Sequence, residues 1–196
     1  MHLEQREDGS FLVDRPSTIS IENIHRLNQQ IGVAVHGYQH AGDWSLGWLW
    51  ATAMTYPKGV YGEIGFRDGF SAMALCLAAR ETGGRVYSLD KEECDQGEAN
   101  LKAVGLDSYH TFLRGDSQDG STLFPEPLDV LYIDGDHTYE GVKRDYEVHR
   151  PRVKPGGVIF FHDPAIWPHG VGRYLIERGV FVLPIGCGIG VQYVPA

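Results

Sequence analysis

Several things are scarce in this sequence, and each scarcity narrows what it can be. Cysteine occurs three times (Cys76, Cys94, Cys187) with no C-x-x-C pair. An odd, unpaired set points to reduced thiols and a cytoplasmic setting, and away from a disulfide framework or a zinc knuckle. No apolar run approaches the roughly 18–20 residues that span a bilayer. The opening residues, MHLEQREDGSF, carry acids and no apolar core, so a secretory leader is not expected. Basic charge is short as well, with 17 Lys and Arg against 26 Asp and Glu and a net charge of -9. Neither nucleic acid nor an anionic membrane is therefore an expected partner. Internal repeats, low-complexity tracts and an obvious interdomain linker are all lacking. What remains is 196 residues, 42% hydrophobic and 22% charged, which suits one domain with a substantial core.

From about Lys58 onward, short apolar segments alternate with amphipathic ones. GVYGEIG reads as a strand and GFSAMALCLAARETG as a helix closed by Gly83-Gly84. RVYSLD is a second strand, EECDQGEANLKAVG a helix, YHTFLRGD a third strand and LDVLYIDGD a fourth. TYEGVKRDYEVHRPRV is predicted helical to near Pro151, GGVIFFHD is a fifth strand, and VGRYLIERG a further helix. VFVLPI and GIGVQYV close the chain as an antiparallel pair, their connection being too short for a helical crossover. The alternation predicts an α/β class: a Rossmann-like doubly wound sheet, mostly parallel with an antiparallel C-terminal strand, in three layers α/β/α. Residues 1-57, rich in Trp and Gly and partly helical, are read as a cap or oligomer segment, and residues 58-196 as the cofactor-binding domain. Trp44, Trp48 and Trp50 form no single helical stripe and are expected in the core or an interface.

The stretch VYGEIGFRDGFSA places a carboxylate, Glu63, two residues before the first glycine of a strand-to-helix loop. A dinucleotide fingerprint needs G-x-G-x-x-G, so that pyrophosphate can approach backbone N–H groups. This loop reads E-x-G-x-x-x-G and carries Phe66, Arg67 and Asp68 in its middle. It suits a ligand with a cationic amino group and no phosphate. Asp90, at the end of the second strand, is placed to accept from both hydroxyls of a ribose. Ribose without phosphate plus an amino-acid head describes S-adenosylmethionine. The plainer readings are that Glu63 is a strand-end charge in water and that Asp90 caps the next helix.

Together YGEIGFRDGFSA, the acid of VYSLDK, RGDS at Arg114–Ser117 and LDVLYIDGDHTYEGVKRD resemble class I S-adenosylmethionine-dependent methyltransferases. The similarity is to the small bacterial branch with a D-G-D-H-x-Y-E-x-V-x-x-D signature, relatives of which include sugar O-methyltransferases of antibiotic biosynthesis. It covers about Lys58 to Ala196, and His162-Asp163 also fits. The resemblance implies that Glu63 and the Gly65–Gly69 loop, with Phe70, hold the methionine part of the cofactor. It implies that Asp90, with Lys91 beside it, takes the ribose. Gly115, Asp116 and Ser117 would border the adenine, and Asp134 would lie beneath the cofactor. Arg67 and Asp68 depart from the pattern in being bulkier and more charged. Asp116-Ser117 and Asp134-Gly135-Asp136 read equally as turn chemistry.

Asp134, Asp136, His137, His162 and Asp163 should gather over the ends of neighbouring fourth and fifth strands. Methyl transfer to a hydroxyl needs a positioned nucleophile and removal of its proton. Two mechanisms fit. His137 or His162 acts as the base, oriented by a carboxylate such as Asp134. Alternatively Asp134, His162 and Asp163 hold Mg²⁺ or another divalent cation that lowers the pKa of an acceptor hydroxyl. The resemblance implies the second for sugar and catechol relatives. Against both stands a structural reading, in which His137 caps the following helix or packs on Tyr139. His169 and Trp167 follow the fifth strand, where a substrate lid often lies, and packing roles suit them as well. Glu140, Lys143, Arg144, Asp145 and Glu147 are read as a solvated helix face with a Glu140–Arg144 pair.

The leading expectation is a methyltransferase (EC 2.1.1.-) acting on a small-molecule hydroxyl, with a homodimer as the expected assembly. A metal-dependent hydroxylase-like enzyme on the same scaffold and a non-catalytic cofactor-binding module are the alternatives. A nicotinamide dehydrogenase ranks last, because the loop lacks the pyrophosphate spacing.

Overall fold

The structure, a computed structural model, describes residues 4–5, 11–12, 45–121 and 123–196. Strands β1 (Glu4–Gln5) and β2 (Phe11–Leu12) form a short antiparallel pair. The helix α1 (Ser45–Ala53) leads to β3 (Val60–Ile64), α2 (Phe70–Thr82), β4 (Arg85–Asp90), α3 (Asp95–Ala103) and β5 (His110–Arg114). After β6 (Leu128–Ile133) come α4 (Tyr139–His149), β7 (Val153–His162), α5 (Arg173–Glu177), β8 (Phe181–Leu183) and β9 (Ile189–Tyr193).

The main sheet has seven strands in the order β5-β4-β3-β6-β7-β9-β8. β3 pairs in parallel with both β4 and β6, so the winding reverses between β3 and β6. β9 inserts antiparallel between β7 and β8. This is the expected doubly wound sheet. Every residue of β3 is buried, as its apolar run requires for a central strand covered on both faces. On one face the core joins Leu49 and Trp50 of α1, the alanine-rich α2, Val130 and Phe160. On the other, Leu131, Ile159 and Phe161 meet Val142 and Tyr146 of α4 and Leu175 of α5.

The hydroxyl of Tyr61 donates to the Ala53 carbonyl at 2.8 Å, and that of Tyr56 to Gly156 at 2.8 Å. Residues 45–57 thus share the core of 58–196. Trp50 is buried and Trp48 is 39% exposed, while Trp44 lies outside the described residues, as does most of the segment read as a cap.

Three element boundaries differ from expectation. α3 begins at Asp95 instead of Glu92, because Asp90 ties its own carboxylate to the Glu92 N–H at 3.0 Å and holds residues 90–92 in a turn. β7 begins at Val153, three residues early, through a register shift against Leu128 and Val130. Before α5, residues Pro168–Gly172 wind into a single π-helical turn. Such turns are frequent at functional sites.

Candidate active site

The loops after β3, β4, β5, β6 and β7 all open at the carboxyl edge of the sheet, around the switch point between β3 and β6. Ligands of open α/β sheets bind there. A cavity of about 660 Å³ runs from Asp90 and Lys91 past Asp116 to Asp134 and His137. A second, of about 340 Å³, lies between Leu46 of α1, the Phe66–Ser71 segment and His162. Gly65, Arg67 and Asp134 border both.

Gly65 has φ +93°, and a Cβ there would fall on the Asp134 carbonyl, so no other residue permits this close crossing of the β3 and β6 loops. Asp90 Oδ2 accepts from the N–H groups of Phe66 at 2.9 Å and Arg67 at 3.3 Å. Asp90 therefore shapes the glycine loop and also lines the larger cavity, and it caps no helix, since α3 starts five residues on. Arg67 sits at φ 42° with an exposed side chain between the two cavities. Phe66 is buried and stacks on His110 with centroids 4.6 Å apart. Phe70 and Asp68 border the smaller cavity, where the Asp68 carbonyl accepts from Asn100 at 3.0 Å.

Glu63 departs most from expectation. Neither in water nor lining either cavity, it is fully buried below the loop. Ser88 Oγ donates to its Oε1 at 2.5 Å, and His110 Nε2 meets the same Ser88 oxygen at 2.7 Å. Burial pushes the Glu63 carboxyl up to about 8 against the hydrogen bonds of Ser71 and Ser88, and burial alone takes His110 down to about 4. Glu63 thus belongs to a hydrogen-bond chain with Ser88 and His110 beneath the loop.

Gly115 N–H donates to the Asp90 carbonyl at 2.9 Å and lies outside both cavities. Asp116 borders the larger cavity and accepts from the Gln118 N–H at 2.9 Å, the turn chemistry read as its alternative. Ser117 borders the same cavity, and its hydroxyl donates to Asp145 Oδ1 at 2.6 Å.

Asp134 follows β6 directly, and its N–H continues the ladder to the Ile64 carbonyl at 2.9 Å. Its Oδ1 accepts from His137 Nε2 at 3.1 Å and from His162 Nδ1 at 3.0 Å. Asp163, held at φ 63°, completes the group, with Oδ2 3.4 Å from His137 Nε2 and Oδ1 3.3 Å from His162 Nδ1. One ligand-type atom from each of these four residues lies within 4.8 Å of the others. Burial works to raise the Asp134 carboxyl, but the two imidazole hydrogen bonds outweigh it and leave it lowered. The Asp134 hydrogen bond, opposed by burial, raises His137. The strand-end expectation thus holds for Asp134, His137, His162 and Asp163. His137 is neither a cap nor packed on Tyr139: Thr138 caps α4, accepting from the Gly141 N–H at 3.0 Å, and the His137 ring stacks on Trp167 at 5.6 Å. Asp136 stands apart, accepting from Thr138 N–H at 2.9 Å and Gln118 Nε2 at 3.3 Å. His169 lies exposed in the π turn.

Asp145, read as part of a solvated face of α4, is fully buried, as is His149. Val142, Asp145, Tyr146 and His149 follow the i, i+3, i+4, i+7 spacing of one helix stripe, a signal present in the sequence and masked by charge. The anticipated Glu140–Arg144 pair is replaced: Glu140 reaches Lys143 at 3.9 Å, and Arg144 donates to the Gln118 carbonyl at 2.8 Å.

Comparison with known proteins follows the same outline. An uncharacterized protein, y4gI, of Sinorhizobium fredii is 29% identical over 140 residues, 63% of this chain, and the chain spans 15% of that protein's length. The O-methyltransferase of Bacillus cereus, solved with SAH, superposes with a TM-score of 0.65 at 19% identity over 93% of each chain. TomG of Streptomyces achromogenes, an O-methyltransferase of tomaymycin synthesis solved with SAM, gives 0.64 at 15% identity over 85% of this chain and 88% of its own. At these identities the two structures attest the fold. Residues 63–164 match the model of a family described as a methyltransferase domain, and the chain belongs to that family.

Proposed function

We propose that the protein is an S-adenosylmethionine-dependent methyltransferase that methylates a hydroxyl of a small molecule of sugar or natural-product type. The observation that carries this reading is the Asp134, His137, His162 and Asp163 cluster on the shared rim of the two cavities. The larger cavity fits the cofactor. Its walls carry the carboxylates of Asp90, Asp116, Asp134 and Asp136 beside Arg67 and Lys91, which suits a ribose and an ammonium-bearing tail. S-adenosylmethionine supplies an activated methyl group, so the chain's own residues have to orient the acceptor and take its proton. Asp90 and the Gly65–Gly69 loop hold the cofactor, with Asp116 at its far end.

His137 Nε2 and His162 Nδ1 both donate to Asp134, which leaves the opposite ring nitrogen, Nδ1 of His137 or Nε2 of His162, to receive the acceptor proton. The same four side chains fit a divalent cation. They offer two imidazoles and two carboxylates, and the buried Asp163 Oδ1 lacks a hydrogen-bond partner. When bound, such an ion would lower the pKa of an acceptor hydroxyl. Two nitrogen donors favour Mn²⁺, Fe²⁺ or Zn²⁺ beside Mg²⁺. Sitting in a cytoplasm and acting as a homodimer remain parts of this proposal that rest on composition and on family resemblance.

The test is calorimetric titration with S-adenosylhomocysteine, with and without a divalent ion, against NAD as control. Micromolar binding of the first and none of the second is expected. No heat from S-adenosylhomocysteine in either condition would overturn the reading.

A further inference from the structure

We propose that Asp145 is a positioning residue that fastens the Asp116–Gln118 loop to the Asp134–Thr138 loop, so that two opposite walls of the larger cavity are held as one piece. The inference rests on reading that cavity as the cofactor site. Asp145 is fully buried on α4, away from the reacting cluster. Among the described residues no Lys, Arg or His forms an ion pair with it. A buried carboxylate without a cation is expensive to keep unless each oxygen has donors to face. Burial pushes it up to about 6, against the Ser117 hydrogen bond.

Its two oxygens face two different loops. Oδ1 accepts from the Ser117 hydroxyl at 2.6 Å. Oδ2 lies against Gly135, 3.1 Å from where a Cβ would stand, and is buried with no hydrogen-bond partner. The one carboxyl therefore touches both loops, bonded to the first and packed on the second. An amide in its place would bury an NH₂ against either the Ser117 hydroxyl or Gly135. Three further bonds tie the same parts: His149 Nε2 to the Ser117 carbonyl at 2.9 Å, Arg144 Nε to the Gln118 carbonyl at 2.8 Å, and Gln118 Nε2 to Asp136 Oδ2 at 3.3 Å. One helix therefore carries both walls. Its N-terminus continues into His137, and its buried face grips the loop after β5.

The experiment measures S-adenosylhomocysteine affinity and amide hydrogen exchange in wild type, Ser117→Ala, Asp145→Asn and the double variant, well below their melting temperatures. Binding by wild type tests the cofactor reading; the variants, compared with it, test the brace. Ser117→Ala is expected to weaken binding about 5- to 10-fold and to speed exchange in residues 134–138, on the opposite wall. Asp145→Asn should do the same more strongly, and the double variant should be no worse than Asp145→Asn alone, because both cut one link. Additive losses, or faster exchange confined to residues 115–118 in Ser117→Ala, would overturn the proposal. A merely structural Asp145 would lower the melting temperature without linking the two loops. Should Asp145→Asn fail to fold, Ser117→Ala and its remote exchange decide the matter.

Discussion

Two groups under the glycine loop, the buried Glu63 and the half-buried His110, pull stability in opposite directions as pH changes. Glu63 is raised by burial from 4.5 to about 8, so folding favours its protonated form. That contribution is complete below the unfolded value of 4.5 and is lost as pH rises toward 8. His110 is lowered by burial from 6.5 to about 4, so folding favours its neutral form. Its contribution is present above 6.5 and is lost as pH falls toward 4. One pKa unit corresponds to about 1.4 kcal/mol, so Glu63 alone weighs on the order of a few kcal/mol at pH 8. Glu63→Gln keeps the shape and removes the charge. Its melting temperature relative to wild type is expected to climb steadily between pH 5 and 8. Thermal melts across that range check this, and a constant difference would show that Glu63 is ionised in the folded protein throughout, as it is in the unfolded chain.

At the scale of elements, the loops bring the reacting groups together. The strand ends are legible in the sequence because central strands are continuous apolar runs, and the polar residue that stops each run lands at the sheet edge. Asp90, Asp134 and His162 are found that way. The loops are less legible, because a local string does not reveal which backbone passes beneath it. Glu63 follows the strand alternation into the interior, and the sequence gives no sign that Ser88 and His110 wait there. Asp145 hides for a different reason: its charge suggests water, although Val142 and Tyr146 on the same stripe point inward. The π turn could not be read either, since it depends on contact across elements. A Cβ on Gly170 would fall on the His137 carbonyl, so this turn presses on the loop that bears the cluster and brings Trp167 over His137. Gly170→Ala should push the turn away at a cost of about 1–3 kcal/mol, typical of overpacking. Methyl transfer should fall more than cofactor affinity, because the cluster moves and the Asp90 side does not. Equal losses in both would mean that the turn supports the whole fold and not the cluster in particular.

For the whole molecule, the switch point makes the site depend on the sheet as a unit. The cavity walls come from the ends of β3, β4, β5 and β6, neighbours in one hydrogen-bonded ladder. A ligand that touches all four can be released by unfolding the sheet, so its binding energy adds to global stability. At 100 times its Kd, S-adenosylhomocysteine should stabilise the native state by about 2.7 kcal/mol. For a chain of 196 residues, with about 2–4 °C per kcal/mol, the melting temperature should rise by about 5–10 °C. Asp90→Ala tests whether the rise comes through the site. Without that carboxylate the Phe66 and Arg67 N–H groups lose their acceptor, so the loop loosens before any ligand arrives. The variant should melt earlier than wild type and gain little from S-adenosylhomocysteine at the same concentration, while NAD should move neither protein. A full rise in Asp90→Ala would mean that the ligand is held elsewhere, and would separate the glycine loop from the cofactor.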